Sequence, residues 1–393
     1  MKIGITIGLQ KEYESMWING IKLNAILLAN ALQAIGKYEV VILDTSRKVK
    51  DLTKVSWDIK RFPIENYWDT YETIDILITL GTSFPAEVLQ QFKQSGPNKK
   101  ILKYMCGNSY VIDMERSIFK EGNDLGRAPW DLGADQVWYV PQQGYQNHDY
   151  YKVAFRNENV FPVPFVWDPM FLDIETLKYR IKKLKSPYYV PNKKNSDKVL
   201  TVFEPNLNVV KYAMIPIMIA EKALRDGVEF NKMNIASGQR ILKNGYFKSM
   251  ISTLDIVNNG PKIGFSGRYP VAHYLANGAD IIVSHQWENP LNYSYLDVLY
   301  FGFPLVHNAD MIKDAGYYYP DFEIEKGTEQ LKFAIEEHDK NIDAYNERNQ
   351  KVLDRYTVKN KEMLDTYEKL IDNLFEDKHE LSHKYNWQTN TYF

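Results

Sequence analysis

The sequence predicts an α/β protein of two doubly wound domains, and three observations carry that reading. The chain has 393 residues, more than one hydrophobic core usually serves, so two domains are the natural expectation. Short β-rich runs alternate with helix-periodic stretches, an order that gives parallel sheets covered by helices. The alternation stops once, in a lysine-rich stretch, and then restarts.

The first strand is KIGITIGL, followed by INGIKLNAILLANALQAIG, whose apolar positions recur at three and four and which Gly36 stops. EVVILD, IDILITLG, KKILKYM and QVWYVP follow as β-rich runs. NVFPVPFVWDPMFLD, residues 159–173, leads to the break at residues 178–198, KYRIKKLKSPYYVPNKKNSDK, where eight Lys or Arg stand against one acid with Tyr188 and Tyr189 between them. Such a segment is either a solvated linker or a surface for a phosphate backbone. The pattern resumes with KVLTVFEP, a helix through MIPIMIAEKALRDG, then KMNIAS, PKIGFSG, ADIIVSH and PLVHN. From about Gly327 to Asp377 the chain reads as charged helix with EKLIDNLF as an amphipathic end, and the final HKYNWQTNTYF reads as no defined element. The expected domains are therefore 1–168 and 169–364, with 365–393 a helix and tail that can return to the first domain. Ligands of doubly wound sheets lie beyond the carboxyl ends of the strands, so two facing domains would enclose a cleft.

Composition narrows the class. Hydrophobic residues make up 45% and charged residues 25%, which suits a globular protein rather than a disordered one. No stretch approaches eighteen uninterrupted apolar residues, and the opening MKIGITIGLQKE reads as a strand without a cleavage site, so a cytoplasmic protein with no membrane partner is expected. The lone Cys106 excludes an intrachain disulfide framework and any multi-cysteine metal site, and the seven histidines form no His-Glu-x-x-His cluster. A net charge of −2 argues against a protein coated in nucleic acid, although charge can be patchy.

The richest stretch is ADIIVSHQWENPLNYSYLDVLYFGFPLVHN, read as strand, loop, helix, turn, strand. The helix starts near Asn292, with Ser294 as an alternative cap, and its free N–H groups and positive dipole end favour an anion such as a diphosphate. Asp297, one turn in, has the acceptors to hold both hydroxyls of a ribose. Glu288 precedes the helix, where a sugar beyond the phosphates would lie.

The segment resembles the donor-site motif of GT-B glycosyltransferases, in which a loop acid precedes by about eight positions a second acid that holds the ribose, followed by Gly-x-Pro and a strand. Asp297, Gly302 and Pro304 match the second half. Asp stands for the usual Glu, and Glu288 lies nine residues upstream rather than eight. The 159–173 segment is similar to the interdomain crossing of that superfamily. VFEPNLNVVKYAMIPIMIAEKAL, residues 202–224, opens the second domain with Glu204, Pro205, Asn206 and Asn208 after a strand. Glu-Pro-Asn-x-Asn and the Cys-Gly-Asn-Ser-Tyr stretch at 106–110 resemble a glycosyltransferase branch of bacteria and T-even-like phages. Some phage members transfer arabinose to 5-hydroxymethylcytosine in DNA.

The resemblance implies two Rossmann-like domains facing a central cleft. It also implies a UDP-sugar donor, UDP-arabinose by preference, no covalent cofactor, and double-stranded DNA containing 5-hydroxymethylcytosine as acceptor in the host bacterial cytoplasm. A divalent ion stays open. Lys211 would neutralise the donor phosphates, with Arg240 and Arg268 as rivals and Asn206 beside them. The Gly264–Gly267 turn would let backbone read a uracil edge. In the first domain Trp17 and Asn19, in the loop after the first strand, and Asn108 would border the acceptor. Asp113 is the candidate base of an inverting mechanism, with Glu115 and Asp131 as alternatives, while a retaining mechanism needs none. A base in duplex DNA would have to be flipped out, with Lys99, Lys100, Lys103, Lys182 and Lys183 on phosphates. Two other readings stay open: a transferase building cell-surface polysaccharide, and a non-catalytic module binding nucleotide or nucleic acid.

Overall fold

The computed structural model describes residues 1–119, 132–260, 262–376, 385–386 and 388–392. It divides into two units, one formed by Met1–Asp168 with Arg355–Phe393 and one by Pro169–Asp354.

The first unit is built on parallel strands β1 (Lys2–Ile7), β2 (Glu39–Asp44), β3 (Ile64–Asn66), β4 (Ile76–Leu80), β5 (Lys100–Met105), β6 (Gln136–Tyr139) and β7 (Val160–Pro162). Their order across the sheet is β3-β2-β1-β4-β5-β6-β7. After Lys2 every residue of β1 is buried, which is why KIGITI reads as nearly continuous apolar sequence: a strand covered on both faces has no wet side to alternate with. Val41, Leu43, Leu77 and Ile101 pack with Tyr67 and Phe92, and Met105, Val137 and Tyr139 pack with Tyr151 and Phe155. Chain order reverses between β1 and β4, so the loops following those two strands diverge and leave a crevice at their carboxyl ends.

The helix Lys361–Asp372 belongs to this unit. Its Tyr367 ring lies 5.9 Å from that of Trp138. The tail that reads as no element in the sequence ends in a hairpin of β14 (Tyr385–Asn386) and β15 (Thr391–Tyr392). The side chain of Asn390 accepts from the Phe165 N–H at 2.8 Å and donates to the Phe165 carbonyl at 2.8 Å, pairing that backbone as a neighbouring strand would. Two-residue strands carry no period to read, and the amide that anchors them acts over 225 positions of sequence.

The second unit holds β8 (Val199–Val202), β9 (Lys232–Ile235), β10 (Ile263–Phe265), β11 (Ile281–Val283), β12 (Leu305–His307) and β13 (Tyr317–Tyr318), all parallel, in the order β10-β9-β8-β11-β12-β13. Here the order reverses between β8 and β11.

Candidate functional site

The reversal between β8 and β11 is where a doubly wound sheet opens to a ligand, and the loops leaving these strands carry most of the donor candidates. Beyond β11 the chain runs Ser284–Asn292 and enters the helix Tyr293–Tyr300. Asn292 is the N-cap: its Oδ1 accepts from the Ser294 N–H at 3.1 Å, while its Nδ2 donates to Gln286 Oε1 at 3.1 Å. Ser294, the alternative cap in the sequence, is inside the helix. Gln286 is in turn fixed to Asn308 beyond β12, N–H to Oδ1 at 2.9 Å and Nδ2 to O at 3.0 Å. The Trp287 N–H donates to the Val210 carbonyl at 2.9 Å, joining this loop to the one after β8.

Glu288 is half-buried with φ of 51°, a left-handed conformation uncommon for a non-glycine residue and concentrated at functional loops. Asp297 is only 4% exposed, since the first turns of its helix tuck against the sheet. Gly302, with φ of 76°, ends the helix where a side chain would be strained, and so turns the chain into β12.

Lys211 is half-buried. The sequence puts it at a helix start, but the helix begins at Met214, and Lys211 sits in the preceding turn with its N–H on Asn208 Oδ1 at 3.3 Å. Asn206 closes the same loop: its Nδ2 donates to the Glu204 carbonyl at 2.7 Å and its Oδ1 accepts from the Ala213 N–H at 2.9 Å. That amide is engaged in building the loop. Arg240 and Arg268 are exposed beyond β9 and β10, roughly 10 and 14 Å across the sheet from β11 at ordinary strand spacing. The Gly267 carbonyl accepts from the Ser237 N–H at 3.1 Å and from the Tyr274 hydroxyl.

Two residues at the reversal were not singled out as site residues in the sequence. Glu204, just past β8, is fully buried, and burial pushes its carboxyl up to about 7 against the relief of a hydrogen bond from Ser284. Ser284 also meets the Tyr295 hydroxyl at 2.8 Å, so the acid is wired to the same helix as Asp297. His285 is buried, and burial lowers its imidazole to about 4. Its Nδ1 lies 3.1 Å from the Tyr319 hydroxyl, which donates its one proton to the Ser284 carbonyl at 2.9 Å. The Nδ1 therefore carries the hydrogen, and Nε2 remains a buried acceptor without a partner among the described residues. A strand end followed by Ser-His-Gln, opposite a strand end followed by Glu-Pro, is the signal that could have found this pair.

These pKa displacements predict a pH dependence with opposing arms. An acid raised from 4.5 to about 7 gives stability that is present below pH 4.5 and lost as pH rises to 7, by about 3 kcal/mol. His285, His307 and His338, each lowered from 6.5 to about 4, give stability that is present above pH 6.5 and lost as pH falls toward 4. Glu204→Gln removes only the first arm. Urea unfolding should find the variant gaining on the parent between pH 5 and pH 8; equal change in both would refute the buried acid.

In the first unit, the loop after β1 contains Trp17, half-buried, whose indole N–H is buried with no acceptor among the described residues. Asn19 caps the helix Gly20–Ala34 by accepting from the Lys22 N–H at 2.9 Å. Asn108, beyond β5, is buried and accepts from the Val111 N–H at 3.2 Å and from Asn147 Nδ2 at 3.0 Å, so its side chain is committed within the unit. Asp113 and Glu115 lie in the helix Ser109–Phe119, and Asp113 Oδ2 accepts from the Tyr150 hydroxyl at 2.9 Å. Asp131 lies outside the described residues.

The basic candidates divide. Lys103 is buried and donates to the Thr82 carbonyl at 3.0 Å, and Lys99 donates to the carbonyls of Glu72 and Ile74 at 2.7 and 2.5 Å. Lys100 sits over the Phe375 ring. Lys198 is buried against Asp339 and Lys193 pairs with Asp280. Lys182 and Lys183 are exposed after the helix Met170–Ile181. The sequence reading sets Lys99, Lys100, Lys103, Lys182 and Lys183 on phosphates and leaves 178–198 as either a linker or a phosphate surface; Lys99, Lys103 and Lys198 are instead committed to internal partners, because lysine stems bury readily and charge counts cannot see it. Among the described residues no group of three or more His, Cys, Asp or Glu could hold a metal ion, and no helix is long and apolar enough to cross a membrane.

Two parallel α/β units, each with its order reversed at the centre of the sheet, define the GT-B fold. The N-terminal domain of trehalose-6-phosphate phosphatase from Candida albicans is similar at a TM-score of 0.56 and 12% identity, over 97% of this chain and 97% of that one. An alpha-glucosyltransferase, solved in complex with UDP and a 13-mer DNA containing an HMU base, is similar at 0.55 and 13%, over 96% and 99%. Anabaena HepE, in complex with UDP and glucose, is similar at 0.53 and 11%, over 95% and 100%. The chain belongs to the family described as "Protein of unknown function (DUF2827)", whose family model matches residues 3–371. No curated protein matches it in sequence.

Proposed function

We propose that the protein is a glycosyltransferase that takes its sugar from a UDP-sugar held by the second unit. The observation that carries this is the loop between β11 and the helix Tyr293–Tyr300: a capped helix N-terminus, an acid in a left-handed conformation and a second acid in the helix, all at the strand-order reversal. Since fold alone does not fix function, the reading rests on these residues. Asn292 and Ser294 with their helix N-terminus, together with Lys211, take the diphosphate, Arg240 and Arg268 farther across the sheet being the rivals of Lys211. Asp297 takes the ribose, Gly267 borders the base, and Glu288 meets the transferred sugar. Trp17, Asn19 and Asp113 serve the acceptor, Asp113 as base if the reaction inverts.

The finer reading is transfer of arabinose to 5-hydroxymethylcytosine in duplex DNA. Its support is the sequence resemblance and the likeness to a transferase whose complex contains UDP and DNA. A saccharide acceptor at the cell surface is the second reading. It is favoured by the commitment of Lys99, Lys103 and Lys198 to internal partners, which thins the phosphate-binding surface that duplex DNA needs. The test is mass spectrometry of acceptors after incubation with a panel of UDP-sugars. Nucleosides from hydroxymethylcytosine DNA that gain a pentose-sized mass uphold the finer reading. A gain only on saccharides upholds the second, and UDP binding without transfer to either would sink both.

A further inference from the structure

We propose that the surface made by the carboxyl-terminal half of the helix Met170–Ile181 and the loop after it docks on an anionic lipid bilayer. The helix buries Phe171 and Leu172. Leu177 and Ile181, four positions apart on the helix, and Leu184, in the loop just past the left-handed Lys183, are apolar side chains that the unit does not cover: they are 50%, 72% and 54% exposed. Isolated exposed aliphatics are ordinary, but a group extended by the exposed Tyr188 and Val190 marks an interaction surface.

The chemistry around these side chains selects the partner. Arg180, Lys182, Lys183, Lys185 and Lys194 are exposed with no acidic partner among the described residues, whereas Lys178 pairs with Glu175 and Lys193 with Asp280. A cavity of about 590 Å³ opens here, walled by Leu177, Leu184 and Tyr188, with Arg180 and the acid Asp173 also on its lining. A phosphate backbone would reward the cations and leave the aliphatic side chains in water. A leaflet of anionic lipid rewards both, taking the side chains into the acyl boundary and the lysines at the headgroups. The charge-only reading of 178–198 missed this because it passed over Ile181 and Leu184 between the lysines. The proposal concerns docking on a membrane surface, and it stands on this surface alone, whichever acceptor the enzyme takes.

The test is co-sedimentation of the full chain with phosphatidylcholine vesicles, with and without phosphatidylglycerol, alongside gel-shift with duplex DNA. Binding is expected only with phosphatidylglycerol, to weaken with salt, and to fall about tenfold or more in Ile181→Glu with Leu184→Glu. Both positions are exposed, and thermal unfolding checks that the variant folds. Lys182→Glu with Lys183→Glu should weaken binding too. Equal binding to both vesicle types, binding that the Glu pair leaves unchanged, or binding to DNA but to neither vesicle would each overturn the proposal.

Discussion

In the proposed donor site, replacing Asp297 by Asn is expected to lower transfer from a UDP-sugar by about 10- to 10²-fold. In that proposed site the carboxylate would offer two acceptor oxygens to two ribose hydroxyls, and the amide would offer one, without charge. A hydrogen bond to a charged group contributes about 1.5–3 kcal/mol, roughly ten- to a hundredfold, and a buried carboxylate, only 4% exposed, faces little competition from water. Asn is nearly isosteric, so the fold should survive, and UDP titration calorimetry beside single-turnover transfer separates binding from chemistry. Parental UDP affinity in the variant would remove Asp297 from the donor site.

The second large effect is on stability. Lys22 and Glu14 form an ion pair at 3.1 Å with side chains only 5% and 2% exposed, and Glu14 also accepts from the Gln10 N–H at 2.9 Å. Lys22→Met leaves a buried carboxylate without its counter-charge, which should cost about 3–5 kcal/mol in urea unfolding. Adding Glu14→Gln should recover much of that loss, because the penalty lies in the stranded charge and not in the missing attraction. If the double variant is as unstable as the single one, the pair is not what holds this loop. The same loop carries Trp17, so a loosened pair should also disturb the setting of that ring.

The architecture was legible because parallel strands buried on both faces leave a plain signature: KIGITI, EVVILD and ADIIVSH are apolar almost throughout. The turn into the helix Tyr293–Tyr300 was legible for a related reason, since a cap, a helix and Gly302 are local features written in adjacent residues. What stayed hidden depends on partners far away in sequence. Asn390 acts through Phe165, and Lys198 reads as a free cation but donates to the Ile335 carbonyl at 2.6 Å. Glu204 reads as one more acid until its burial beneath Ser284 is seen. Composition records that a charge exists, and only packing decides whether water reaches it.

The first unit is assembled from residues 1–168 and 355–393, with the second unit encoded between them. On the ribosome this imposes a timetable. The intervening unit is contiguous and can complete its sheet while its predecessor still waits for Tyr367 and Asn390, which follow that unit in the chain. Nascent unit 1 therefore spends most of its synthesis without the hold on Phe165 and the ring against Trp138. A truncation near residue 355 would injure the amino-terminal unit, far in sequence from the lesion, and leave the unit Pro169–Asp354 whole.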